Sequence, residues 1–224
     1  MRGKLPTFWT PDPIWEGEDC YVIGGGPSLR GFDWGLLRGQ NTIGCNSAFL
    51  LGSHVCKIVI FGDFIWWEKI GRDCLQEYGG LVVSILPPSS SQAVSEIPWV
   101  LSMDRNGGEV SRDKLCWADN VGAAALNLAL ILGARRVFLL GFDMQLGPKD
   151  EKTGRDPGRA NWHDCRCEPA RAEAYPRFLR GFPRVADSIR RVFPGREIYN
   201  VTDGSSKLDV FPKITLGSTP IGED

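Results

Sequence analysis

The chain predicts an α/β fold: one domain built on a doubly wound, mostly parallel sheet, with long loops over the C-terminal edge. Short apolar runs recur along it and end in glycine, asparagine or aspartate, at Cys20–Gly24, Thr42–Asn46, Lys57–Asp63, Leu81–Leu86, Arg136–Asp143 and Glu197–Thr202. Most are continuously apolar rather than alternating, which marks strands buried on both faces. Helical segments lie between them, and strands that alternate with helices lead to a parallel sheet covered on both sides.

Residues 1–18, which include PTFWTPDPIW, read as an N-terminal extension, 19–216 as the domain and 217–224 as a tail. The first strand runs into Gly24-Gly25-Gly26-Pro27-Ser28-Leu29. Glycines there let backbone N–H groups approach a ligand, Pro27 suits the first position of a helix, and Ser28 offers a hydroxyl where the helix dipole favours an anion. The turn suits a phosphate or a nucleotide, although it lacks the P-loop lysine and the full G-x-G-x-x-G spacing. A tight strand–helix turn with no ligand is the competing reading.

The second strand ends in Cys45-Asn46-Ser47, where Asn46 is placed to hydrogen-bond a base or a ribose. The third ends in Gly62-Asp63 and opens a helix over Asp63–Tyr78, despite Gly71. Pro87–Trp117, with its triple serine and Asn106-Gly107-Gly108, reads as a long excursion over the sheet. A helix over Val121–Leu132 follows, capped by Asp119–Asn120 and closed by Gly133. The next strand ends in Gly141-Phe142-Asp143. Asp63 and Asp143 suit ribose hydroxyls or magnesium, or serve only as caps and turn formers. Gly147–Glu168 is a polar, glycine-rich loop of the kind that carries function in compact α/β domains. Over Ala170–Phe193, Phe178, Phe182, Val185, Ile189 and Val192 share one helix face, and Pro176 and Pro183 are expected to break or kink it.

A net charge of −1 and a pI near 6.2 argue against a protein that grips duplex DNA through its phosphates. Seven cysteines, odd in number and scattered, read as reduced thiols in a cytoplasmic protein. The N-terminus has no apolar signal region and no window reaches the length of a membrane span, so no membrane partner is expected. A homo-oligomer stays open.

Of the two histidines, His54 precedes a strand and reads as structural. His163, in Asn161-Trp162-His163-Asp164, suits deprotonation of a hydroxyl near neutral pH with Asp164 to orient it, or is an exposed loop residue. His163, Cys165 and Cys167 lack a fourth ligand and C-x-x-C spacing, and no metal is expected there. Arg155, Arg159, Arg166, Arg171, Arg177 and Arg180 read as a solvated face from which one or two meet a phosphate. Trp66 and Trp67 suit the core as well as a ligand, whereas Trp162 is the stronger candidate to stack a sugar or base.

VIGGGPSL (22–29), IGCNSAF (43–49), DNVGAAALNLALILGARRVFLLGFDM (119–144) and the later histidine resemble, as an ordered set, a Rossmann-like superfamily. It contains the family-42 sialyltransferases, the motility-associated flagellin glycosyltransferases and the archaeal 6-hydroxymethylpterin diphosphokinases. The layout is most similar to prophage-encoded members and spans most of residues 20–212. The resemblance implies a nucleotide-dependent transferase, foremost a glycosyltransferase with a CMP- or UDP-type sugar as donor. Gly24–Ser28 and Asn46 would then hold the nucleotide, and Asn120–Gly122 would lie near the donor phosphate or sugar. Asp143 would form the floor of the site, with His163 as general base. The chain departs from the sialyltransferases at Gly25, where they carry asparagine, and at Met144 and Gln145, where a tyrosine follows their strand-end aspartate. Two alternatives follow from the same superfamily. One is diphosphoryl transfer from ATP with magnesium on Asp63 and Asp143; the other is a phage nucleotide-binding module without turnover.

Overall fold

The computed structural model describes residues 8–87, 90, 94, 96–147, 161–165, 172–202 and 206–217. Its strands are β1 (Asp19–Ile23), β2 (Thr42–Cys45), β3 (Ile58–Phe61), β4 (Leu81–Ser84), β5 (Val100–Ser102), β6 (Arg105–Asn106), β7 (Leu115–Cys116), β8 (Arg136–Leu140) and β9 (Glu197–Asn200). Seven form one sheet in the order β5-β4-β3-β2-β1-β8-β9, with every pairing parallel. The fold is Rossmann-like α/β, as the apolar runs predict. β1 lies at the heart of the sheet, registered with β2 through Tyr21↔Thr42 and with β8 through Asp19↔Arg136. The chain steps outward from β1 to β5, then returns to the other flank of β1 as β8. Strand order therefore reverses between β1 and β8, and open α/β sheets bind ligands at such a crevice.

The helix after β3 is α1 (Phe64–Trp66), a π-turn at Trp67–Gly71, and α2 (Arg72–Cys74). The wide turn accompanies two adjacent indoles. Trp67 is fully buried and stacks on Phe61 at 4.8 Å, while Trp66 lies against Gly71, where an added Cβ would come within 2.5 Å of its ring. Both tryptophans fill the core, and Trp66 also reaches the cavity described below.

Helix α3 (Val121–Ile131) is buried from Gly122 through Leu130, so its alanines and leucines pack on every side. The one polar residue in that stretch is Asn127. Its Oδ1 accepts from Ser111 N (3.1 Å) and Cys116 N (3.0 Å), and its Nδ2 donates to Ser111 O (2.8 Å). Asn127 thus pins the 105–117 region onto the helix. Asn127→Leu keeps the volume and strands three polar groups, the Cys116 N–H fully buried and the Ser111 N–H and C=O half-buried. It should cost about 3 kcal/mol, read as a fall of roughly 6–12 °C in melting temperature.

Two expectations are corrected. Pro87–Trp117 is not only an excursion: it re-enters the sheet as edge strand β5 and then forms the small parallel pair β6–β7. Helix α4 (Tyr175–Val192) runs unbroken through Pro183. Pro176 stands in the first turn, where a missing N–H costs nothing. Pro183 removes a single amide, and burial of Phe182, Val185, Ala186 and Ile189 holds the helix together around it.

The segment before β1 is tied to the domain: Trp9 N donates to Ser102 O and Trp15 N to Leu132 O, both at 2.7 Å, and Trp15 is buried. Cys20, Cys45, Cys56 and Cys116 are buried free thiols, as scattered small apolar groups should be. Among the described residues no helix is long and apolar enough to cross a membrane.

Candidate functional site

A cavity of about 630 Å³ opens at the carboxyl ends of β1, β2, β3 and β8. Gly24, Gly25, Gly26, Asn46, Asp63, Asn120, Gly122, Asp143 and His163 all line it. Nine residues picked from six separate stretches of sequence therefore converge on one place. Pro27 and Ser28 belong to the same turn but stand outside the lining.

The glycine turn works differently from the amide cradle that the sequence suggests. Gly24 N donates to Leu140 O (2.8 Å), Gly26 N to Gly141 O (2.9 Å) and Ser28 N to Asp143 Oδ1 (2.9 Å). Ser28 Oγ donates to Asp143 Oδ2 (2.8 Å). Pro27–Leu29 is a single 3₁₀ turn with little dipole of its own. The anion at its start is the protein's own Asp143 carboxylate. A Cβ on Gly26 would lie 1.8 Å from Asp143 Oδ2 and 2.4 Å from Gly141 O, and one on Gly24 would lie 2.7 Å from Gly141 O. The glycines exist so that the β1 and β8 tips can lock together.

Asp143 is buried, and its strand tip is held from the far side as well. Phe142 N donates to Thr202 Oγ1 (2.9 Å), Ser206 Oγ to Phe142 O (2.7 Å) and Lys207 N to Asp143 O (3.0 Å). Asn200 braces these in turn: its Oδ1 accepts from Thr202 N, and its Nδ2 donates to Ser206 Oγ. Asn200, Thr202 and Ser206 are all buried. Sequence reasoning passed them over; the available signal was a dense polar run, YNVTDGSSK, directly after an apolar strand.

Asp63 and Asn120 cap helices while facing the cavity. Asp63 Oδ1 accepts from Ile65 N (2.9 Å) and Trp66 N (3.2 Å), and Asn120 Oδ1 accepts from Gly122 N (2.6 Å). A Cβ on Gly122 would lie 2.6 Å from the Phe142 ring, so glycine there lets the start of α3 press against the β8 tip. The eleven-residue α3 points its N-terminus, through Asn120, Val121 and Gly122, at the cavity. That is the longer dipole available to an anion. Among the described residues no three of His, Cys, Asp and Glu are grouped to hold a metal ion.

Backbone strain collects on the same wall. Among the described residues the non-glycine positions with positive φ are Asn46 (49°), Asp119 (55°) and Met144 (53°). Asn46 and Met144 line the cavity, and Asp119 adjoins Asn120, which does so too. Such conformations cost on the order of 1–3 kcal/mol each and cluster at functional sites. Asn46 Oδ1 is in addition buried with no hydrogen-bond partner among the described residues.

Asn161, His163 and Cys165 line the cavity, whereas Trp162 does not. Its ring packs 5.1 Å from Trp34 instead, which corrects its expected place against a sugar or base. The 3₁₀ turn Ala172–Ala174 and the start of α4 close the remaining side with Glu173, Tyr175, Arg177 and Phe178. Of the arginines singled out in the sequence, Arg177 lines the cavity and Arg180 does not, while Arg155, Arg159, Arg166, Arg171 and also Cys167 lie outside the described residues. Glu173 and Tyr175 were not foreseen, because nothing in the sequence marks which end of that helix meets the sheet edge. Cys45 also lines the cavity, but burial pushes its thiol well up, so it stays protonated and serves as wall rather than nucleophile. His54 is exposed and away from the cavity. Set beside family models, curated proteins and solved structures, the chain matches none.

Proposed function

We propose that the chain is a nucleotide-dependent transferase that moves a glycosyl group from a CMP- or UDP-type sugar to an acceptor hydroxyl. The observation that carries the reading is the strain around the crevice. The chain holds Asn46, Asp119 and Met144 in left-handed backbone, all at or beside one cavity at the reversal of strand order. A volume of about 630 Å³ suits a ligand of nucleotide-sugar size.

In this reading the base or ribose lies by the β2 tip, where Asn46 Oδ1 accepts a hydrogen bond from an amino or hydroxyl group. The phosphates lie toward the α3 N-terminus at Asn120–Gly122. His163 takes the proton from the acceptor hydroxyl as the new glycosidic bond forms and the nucleotide departs. Asp143 acts by holding the glycine turn and the β8 tip in register. The 161–165 segment and the α4 start keep water from the donor.

A thermal-shift screen of CMP, UDP, GDP, ATP and nucleotide sugars, with and without magnesium, tests this. A CMP or UDP compound at a hundred times its Kd should stabilise the fold by about 2.7 kcal/mol, roughly 5–11 °C for a chain of this size. If none of them moves the transition, the reading fails. A shift from ATP that needs magnesium would assign diphosphoryl transfer instead. Tight binding without turnover would leave a nucleotide-binding module.

A further inference from the structure

Trp162 makes contacts that a loop tryptophan has no need of. Its backbone N–H donates to Gly25 O (3.0 Å) and its indole Nε1–H to Gly24 O (3.2 Å). The ring packs 5.1 Å from Trp34 and, at right angles, 4.8 Å from the His163 ring. Along this bent segment Asn161, His163 and Cys165 line the cavity, and Trp162 does not. At its other end Ser47 Oγ donates to Cys165 O (3.4 Å). Residues 161–165 therefore bridge from the β1 tip to the β2 tip. Gly25 makes room for the crossing, since an added Cβ would come within 3.0 Å of Asn161 Oδ1.

We propose that Trp162 is a positioning residue, which fastens this strap to the glycine turn and thereby fixes His163 over the cavity. The turn serves through its carbonyl oxygens: Gly24 O and Gly25 O are the points of attachment. What His163 does once fixed rests on the transferase reading above; its fixation by Trp162 does not. A general base misplaced by about 1 Å loses on the order of a hundredfold in rate, so an anchor of two hydrogen bonds and two ring contacts has a function to protect.

The chain's two histidines make the test direct, because ring ¹³C–¹H relaxation reports His163 with His54 as internal control. In wild type the His163 ring should be rigid, with an order parameter near 0.8, and in Trp162→Ala it should fall below about 0.6 while His54 stays unchanged. Trp162→Phe keeps the ring contacts and loses only the indole hydrogen bond, so it should restore the order. Turnover with the CMP or UDP sugar that stabilises wild type most should fall at least about tenfold in the alanine variant and stay within about threefold in the phenylalanine variant, with nucleotide affinity little changed in both. A His163 ring as ordered in Trp162→Ala as in wild type would overturn the proposal. Should that variant not fold, Trp162→Leu keeps apolar bulk but loses the indole hydrogen bond and both ring contacts; unchanged His163 order there overturns it equally. If no nucleotide binds wild type, the transferase reading falls while the relaxation measurement still decides the anchor.

Discussion

Gly26→Ala should destabilise the chain by about 4 kcal/mol, lowering its melting temperature by roughly 8–16 °C. The new Cβ would fall 1.8 Å from Asp143 Oδ2 and 2.4 Å from Gly141 O, so the β1 and β8 tips must part. Parting them breaks two hydrogen bonds from Ser28 to a buried carboxylate, each worth about 1.5–3 kcal/mol. Asp143→Ala alone should cost about 3 kcal/mol for the same bonds. The double variant should therefore be less destabilised than the sum by at least about 1.5 kcal/mol, since both changes destroy one contact. Some cost remains because the clash with Gly141 O involves backbone. Denaturant unfolding of the four proteins decides it, and costs that add to within about 0.5 kcal/mol would show that Gly26 and Asp143 are not coupled.

Removing the imidazole of His163 should lower turnover by about 10²–10⁴-fold and leave nucleotide affinity within about threefold of wild type. A general base acts as the proton moves in the transition state, so the loss belongs in kcat rather than in donor KM. His163→Gln should lose as much as His163→Ala, because an amide hydrogen-bonds but takes up no proton near neutral pH. His54→Ala supplies the control, its side chain being exposed and away from the cavity. A loss confined to donor KM would make His163 a binding group. Full turnover in His163→Ala would remove it from the chemistry.

The sheet was readable from composition of short runs because strands buried on both faces leave a local signature. Cys20–Gly24, Thr42–Asn46 and Arg136–Asp143 each overlap a strand to within a few residues, and the tips they point to do form the cavity. β5 escaped because Val100–Ser102 is three residues long, between Pro98-Trp99 and Met103-Asp104. Pro183 misled because local propensity counts a missing amide and not the buried face that outweighs it. That nine of the residues lie at one sheet edge was legible, but their contacts were not. Ser28 meets Asp143 across 115 positions, and no periodicity reports a contact of that span. The glycines of the turn looked like room for a phosphate. In the structure Gly26 leaves room for the Asp143 carboxylate, and Gly25 for Asn161.

The bond between Ser28 and Asp143 also has a temporal side. The first strand is complete early in synthesis, yet its turn acquires its partner only after β8 emerges, and β8's tip is braced by Asn200, Thr202 and Ser206 later still. Closing so long a loop is slow and is rewarded only at the end. A nascent chain that stops short of β9 would carry every strand tip of the crevice and still lack the brace that holds Asp143. Competence to bind would then await β9, and a ligand seated in the crevice would touch the β1 and β8 tips, which the chain makes far apart in time.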